Sequence, residues 1–357
     1  MTRISIEGER FVVDGVVTHA GHRYRDMPLD GLVLNSRMVQ AIFDDLNPDT
    51  RARWDRVLPD GSVERWDSAR NTDRFIAAMP EWAACGLDAV TINLQGGSPE
   101  GYSETQPWHN SAFEANGSLR ADYAARLDRV LDAADRLGLV VILGLFYFGQ
   151  DHRVTDERAV IRAVESAVDH VLAGGWSHVV IEVCNEADCP EYTHECLRPH
   201  RANEMFDVVR TRSAGAAHLP AGRLLVGTSL LGGSLPVEGM SASDVVLLHG
   251  NGIHTPDGIR SMVERTRAQP FFRGQPIVFN EDDHFAFENA DNNFLGAVSA
   301  RASWGFFDYR LPDEGFEEGY QSMPCEWGIS SARKRGFFDL VREMTGGREV
   351  AGSGALV

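Results

Sequence analysis

The chain is poor in positive charge: its 357 residues hold 34 Lys and Arg against 52 Asp and Glu, a formal net charge of −18. Phosphate binding depends on clustered cations, so this balance argues against nucleic acid as a partner and favours a neutral ligand over an anionic one. Also missing is any apolar run long enough to span a bilayer, and residues Met1 to Arg10 contain no apolar signal core. No membrane partner is expected, and the chain reads as cytoplasmic. Cysteine is scarce, five residues without a repeating frame, which is ordinary for a reducing compartment. Cys184, Cys189 and Cys196 fall near His194 and His200, but not at the short Cys-x-x-Cys spacings of zinc sites. A loop with scattered Cys and His is the better reading, and no metal or other cofactor is expected. There is no Gly-x-Gly-x-x-Gly after the first strand and no P-loop, so nucleotide-binding α/β folds lose ground.

What the chain does have is enough apolar material for a sizeable core, 43% hydrophobic against 24% charged residues. Only the Gly/Ala-rich end after Gly346 resembles a disordered tail. Arg3 to His19 reads as a hairpin turning at Glu7-Gly8-Glu9 and again at Asp14-Gly15. It is expected to plug or cover one end of the fold built by the rest of the chain.

From there apolar runs alternate with helical patterns. Eight strand candidates lie at Gly31–Asn35, Asp88–Gln95, Leu139–Phe148, His178–Glu186, Leu224–Leu230, Val245–His249, Ile277–Glu281 and Trp304–Tyr309. They show little period-2 alternation, as expected of parallel strands buried on both faces. The clearest helix is Ala121–Leu137, whose apolar residues recur at three and four before Gly138 caps it. Asp156–Leu172 and Thr72–Cys85 repeat the pattern. Eight such units point to one (β/α)₈ barrel over residues 31–346, with residues 1–20 as the hairpin and all of 1–357 in a single domain. The first, fifth and sixth units are weak, and Arg37 to Asn71, with Trp54 and Trp66, reads as a large loop with some helix.

Two of the strand candidates end abruptly in carboxylates. Val-Val-Ile-Glu-Val-Cys runs into Asn185-Glu186, and Pro-Ile-Val-Phe into Asn280-Glu281. An unpaired charge closing an apolar run is costly, and barrel chemistry sits at the C-terminal strand ends. Paired carboxylates there suit glycosidic bond cleavage, which needs a proton donor and a nucleophile or base. The other strand-end residues, Asn35, Asn93, Gln95, Tyr147, His249 and Asp308, complete a polar rim.

Asn-Glu closing the fourth strand, with Glu at the seventh, resembles the clan A glycoside hydrolases, the retaining (β/α)₈ enzymes that include the cellulase-like families. The resemblance covers about Leu32 to Leu340 and implies Glu186 as general acid/base, Asn185 as a hydrogen-bond donor to the sugar 2-hydroxyl and Glu281 as nucleophile. It also implies that His249, ending the sixth strand, bonds Glu281 or the substrate. Two of the clan's positions differ. Its Arg near the second strand is replaced by Asn93 and Gln95, leaving Arg37, after strand one, as the candidate substitute. Its Trp at the end of the eighth strand is not evident, since Trp304 opens that strand.

Aromatic residues of the predicted top-face loops, Tyr102, Trp108, Tyr147, Tyr309, Tyr320 and Trp327, are candidates to stack on sugar rings, and at least two are expected to line the cleft. Glu182 shares strand parity with Glu186 and is expected deeper in the barrel, paired with a buried Arg or accepting several hydrogen bonds. Asp282, Asp283 and His284 read as a solvated loop. The leading reading is a retaining β-glycosidase acting on a neutral carbohydrate. Two others stay open: a barrel that binds carbohydrate without cleaving it, and a divalent-metal isomerase or lyase using Glu186, Asp188, Glu281 and Asp283.

Overall fold

A computed structural model describes residues 1–103 and 105–349. The Gly/Ala-rich end suspected of disorder lies, from residue 350 on, outside the described residues. Eight parallel strands form the central sheet: β1 (Leu34–Arg37), β2 (Ala89–Asn93), β3 (Val140–Tyr147), β4 (Val179–Asn185), β5 (Leu225–Gly227), β6 (Val246–His249), β7 (Ile277–Asp282) and β8 (Ser303–Phe307). Their order runs β5-β4-β3-β2-β1-β8-β7-β6, with neighbours consecutive in sequence apart from the β1–β8 closure. The seam between β5 and β6 is closed by single bonds, Asp244 N–H to Val226 O (2.8 Å) and Gly233 N–H to His249 O (3.0 Å). This is a (β/α)₈ barrel, as the sequence pattern predicts.

Among the described residues seven α-helices pack outside it: α1 (Ser68–Ala84), α2 (Ala121–Leu137), α3 (Glu157–Gly174), α4 (Ala202–Ser213), α5 (Pro256–Arg267), α6 (Asn293–Ser299) and α7 (Ala332–Thr345). Local chemistry explains their ends. The side chains of Asp67, Asp156, Thr255, Asn292 and Ser331 each accept a backbone N–H of the first turn. Gly138, Gly175 and Gly346 close α2, α3 and α7 in the left-handed conformation. Helix α1 begins four residues earlier than the apolar repeat suggests, because Asp67 supplies the cap. The fifth unit lacks an α-helix altogether: only the 3₁₀ turn Glu238–Met240 lies between β5 and β6. The long segment after β1 holds a 3₁₀ turn, Arg51–Trp54, and a small hairpin pairing Arg56–Val57 with Val63–Glu64. Trp54 is buried there against Phe43 and Trp108. Among the described residues no helix is long and apolar enough to cross a membrane.

The barrel interior is stratified. At its lower end Val33, Ala89, Val140, Val180, Leu225 and Val278 form an apolar layer. Ile4 and Phe11, from the hairpin Ile4–Glu7/Arg10–Val13, seal it from below. The hairpin docks through Ile4 N–H to Ser177 O (2.8 Å) and Phe11 N–H to Gly31 O (3.0 Å). The expected plug is therefore real, and each large apolar side chain buried in it contributes about 1.5–3 kcal/mol. Above this layer the interior turns polar, and that change marks where chemistry is placed.

Candidate active site

Glu182 occupies the middle of the barrel, with no exposed surface. Its Oε1 accepts from Ser229 Oγ (2.7 Å) and Asn280 Nδ2 (3.0 Å), and Arg37 Nη1 lies 3.7 Å from its Oε2. Both expectations for this residue are met at once: a buried Arg and several hydrogen bonds. Strand β1 runs two residues further than its apolar stretch suggests, so Arg37 is its last residue and not part of the following loop. From there Arg37 places Nε 2.6 Å from Glu281 Oε2 and donates through Nη2 to Asn185 Oδ1.

The two upper carboxylates reach the same place by different backbone devices. Strand β4 ends at Asn185, and Glu186 follows with φ of 52°, a left-handed conformation that costs a non-glycine residue about 1–2 kcal/mol. Ser229 Oγ accepts the Glu186 N–H at 3.1 Å and helps hold the kink. In β7 the register slips against β6 between Leu248 and His249, pairing His249 with Glu281, and slips again against β8 after Phe279. In a regular strand Asn280 and Glu281 would face opposite sides. Here both point inward, Asn280 to Glu182 and Glu281 to Arg37, the re-aiming that bulges near active sites provide.

His249, wholly buried at the end of β6, joins the acids: its Nδ1 lies 3.0 Å from Glu186 Oε1 and 3.6 Å from Glu281 Oε2. One oxygen of each carboxylate and an imidazole nitrogen lie within 4.8 Å of one another. Asn251 Nδ2 donates to Glu281 Oε1 at 2.5 Å. The electrostatics follow from burial and crowding. Burial raises the Glu186 pKa, the His249 bond opposes the rise, and the charge of Glu281 adds to it. For His249, burial alone would depress the imidazole, but Glu281 and Glu186 outweigh it and the net shift is upward. Arg37 is likewise penalised by burial and held cationic by Glu281 and Glu182. The result is one carboxyl biased toward its proton beside another held against a guanidinium.

Above the acids lies a cavity of about 230 Å³. Its walls are Ser98, Tyr102, Tyr147, Phe148 and Phe307, with Glu186 and Glu281 at its base. Tyr147 ends β3, and its hydroxyl pairs with Ser98 Oγ at 3.3 Å.

Solved structures similar in fold include the exo-β-1,4-mannosidase Op5Man5 from Opitutaceae bacterium strain TAV5, with TM-score 0.53 and 15% identity, covering 93% of this chain and 62% of that one. The endo-1,4-β-mannanase from Rhizomucor miehei gives TM-score 0.54 and 11% identity over 96% of this chain and 99% of its own. A glycoside hydrolase family 5 enzyme from Prevotella bryantii B14 gives 0.52 and 10%, covering 88% and 95%. The fold is shared with glycoside hydrolase barrels. This chain thus spans 62% of the length of the exo-mannosidase. No protein-family model matches the sequence, and no curated protein matches it either.

The remaining rim candidates divide sharply. Asn35 sits below the acids, its Nδ2 donating to Thr91 Oγ1 (3.0 Å), and Asn93 packs against the Gly144 backbone inside the barrel. Gln95 donates to Ser111 Oγ (3.0 Å) and faces the β2 loop, away from the cavity. Asp308 is a correction: it is fully buried, takes Arg333 Nε at 2.7 Å and the Gly319 N–H at 3.0 Å, and so anchors the loop after β8. Trp108 is another, buried edge-to-face on Trp54 beneath the β2 loop. Trp327 is a third, stacked on Tyr320 and donating to Asn71 Oδ1 (3.0 Å) under α1. These rings went into the helix-side core because several large aromatics were close enough to bury together.

Of the six aromatic candidates, Tyr102 and Tyr147 line the cavity. Sequence reasoning missed Phe307, which ends β8 where the clan's Trp was sought, and Asn251, two residues past a strand end. The first could have been found by placing the end of β8 two residues earlier. The second carries no sequence signal.

The residues proposed for a divalent metal do not converge. Asp188 accepts from Leu231 N–H (2.7 Å) and Ser234 Oγ (3.1 Å), and Asp283 from Tyr102 Oη (2.9 Å). The Glu186–His249–Glu281 cluster has ligand-like atoms, but the Arg37 guanidinium already supplies the cation beside Glu281. Asp282 corrects the expected solvated loop: it is fully buried and accepts from Trp304 Nε1 (2.9 Å) and Asn293 Nδ2 (3.1 Å), with His284 Nδ1 2.5 Å away.

Proposed function

We propose that this protein is a retaining glycoside hydrolase acting on a neutral β-linked glycan or glycoside, with Glu186 as general acid/base and Glu281 as nucleophile. The observation that carries the reading is the proximity of the two carboxylates, whose facing oxygens fall within 4.8 Å. Retaining enzymes hold their carboxyls about 5–5.5 Å apart, whereas inverting ones leave roughly 6.5–9.5 Å for a water. Similarity in fold to barrels named as β-1,4-mannosidase and β-1,4-mannanase supports a β-linked carbohydrate.

The chemistry is a double displacement. The Glu281 carboxylate attacks the anomeric carbon as the glycosidic C–O bond breaks, and the proton on Glu186 passes to the departing oxygen. Arg37 and Asn251 orient Glu281 for the attack. Once the ester forms, the charge of Glu281 is gone and one of the influences raising the Glu186 pKa goes with it. Glu186 then takes a proton from water, which attacks the same carbon and restores Glu281. We assign Asn185, whose Oδ1 accepts from Arg37 beside Glu186, to the sugar 2-hydroxyl. His249 bridges the acids and keeps Glu186 in position.

A panel of nitrophenyl β-glycosides tests this. Hydrolysis with retained anomeric configuration by NMR, abolished in Glu186→Gln and Glu281→Gln and indifferent to chelator, supports it. Binding without turnover in the unaltered protein identifies a carbohydrate-binding barrel instead.

A further inference from the structure

The loop after β2 does not stay above its own strand. Gly97 O accepts from Gln40 Nε2 (2.8 Å) of the β1 loop and Gln321 Nε2 (2.9 Å) of the β8 loop, and Pro99 O accepts the Met323 N–H (2.6 Å). The loop ends its crossing at Tyr102, whose hydroxyl donates to Asp283 Oδ2 (2.9 Å), two residues beyond Glu281. The Tyr102 ring packs edge-on against Phe307 (5.8 Å between centroids) and Tyr309 (4.8 Å). Tyr102 keeps 58% of its surface exposed while lining the cavity, as a roof residue does and a core residue does not.

The strap therefore runs from β2 across β1 and β8 to β7. This side is the one away from Glu186. In the proposed reaction Glu186 protonates the leaving oxygen, so the aglycone departs past β4, and the sugar bonded to Glu281 extends the other way, into the strapped side. The cavity is lined from β2, β3 and β8, with Glu186 after β4 and Glu281 of β7 at its base, and by nothing from the loops after β5 or β6. Its volume of about 230 Å³ is below the roughly 300–1,000 Å³ of pockets that enclose drug-sized ligands.

We infer that the Tyr102–Asp283 strap closes the glycone side of the cleft, making the protein an exo-acting enzyme that releases one monosaccharide at a time from the non-reducing end of a short β-linked chain. The inference rests on the glycosidase reading. Each event consumes one water, breaks the terminal C–O bond and yields a free sugar and a glycan one unit shorter. A second glycone unit would have to pass through the ring of Tyr102.

The test uses β-linked tetrasaccharides of whichever sugar the nitrophenyl panel shows to be hydrolysed, with the non-reducing end free or capped by a 4,6-O-benzylidene group. The free-ended substrate is expected to give monosaccharide as its first product, and the capped one to react about 100-fold more slowly, the scale of a steric rejection that displaces the reacting atoms. Tyr102→Ala is expected to shrink that gap at least about tenfold. Disaccharide as first product, equal rates on capped and free substrates, or an unchanged gap in Tyr102→Ala each overturn the inference while leaving glycosidase activity standing. If no glycoside is hydrolysed at all, the glycosidase reading fails and this inference fails with it.

Discussion

Replacing Arg37 by methionine keeps the length of the side chain and removes its charge from the centre of the barrel. The guanidinium is 1% exposed, stands 2.6 Å from Glu281 and 3.7 Å from Glu182, and donates to Asn185. Its loss leaves two carboxylates, one wholly buried and one 4% exposed, without their shared cation. Breaking a buried ion pair from one side costs about 3–5 kcal/mol, because the stranded charge cannot recover its hydration. Unfolding entropy of about 2.1 cal/mol/K per residue gives about 0.75 kcal/mol/K for 357 residues, so the melting temperature should fall by about 4–7 °C. Calorimetry and urea unfolding measure this directly. A second variant separates lost charge from lost packing: Glu182→Gln added to Arg37→Met removes one stranded carboxylate while keeping its bonds from Ser229 and Asn280. The double variant should regain about 1 kcal/mol or more. A single-variant loss under about 1 kcal/mol, or a double variant no more stable than the single, would refute the view that Arg37 holds these acids together.

The pH profile of hydrolysis gives an independent check on the acid assignment. Glu186 has a raised pKa from burial and from Glu281, and its protonated form is the active one, so rate should fall as pH rises through that value. In Glu281→Gln the Glu186 titration, followed by NMR of a labelled carboxyl, should move to lower pH because one raising charge has gone; no movement would separate the two groups electrostatically. For Trp108, in a nest of aromatic side chains away from the cavity, substitution by alanine should destabilise by about 3–5 kcal/mol and leave KM for an aryl glycoside unchanged in the folded fraction. A raised KM with little loss of stability would return Trp108 to the sugar-stacking residues.

Much of the barrel was legible because buried parallel strands need apolar, β-branched runs on both faces. All eight predicted strands overlap observed ones, and α2 matches its predicted bounds, Ala121–Leu137, where a three-four apolar repeat and a C-cap glycine coincide. The helix predicted from Thr72 starts instead at Ser68, since a single capping carboxylate, Asp67, outweighed the apolar repeat. The fifth unit, weak in pattern, has no α-helix. Side-chain destinations in the loops were much less legible. Trp108, Trp327 and Asp308 follow strands or sit in top-face loops just as Tyr102 and Tyr147 do, and sequence spacing does not distinguish them. Their partners, Trp54, Asn71 and Arg333, belong to distant segments, and only the folded chain brings them within reach.

The sequence by itself determined the barrel and the ordinal places of Glu186 and Glu281, because strand periodicity and the cost of ending an apolar run in a charge are local properties. Tertiary structure alone decided how those acids meet. A left-handed residue at Glu186 and a register slip at His249 turn both inward, Arg37 reaches them from the far end of β1, and Tyr102 closes one side by bonding a residue 181 positions away. Such contacts depend on which strands become neighbours when the sheet closes on itself, and no stretch of sequence contains that information alone.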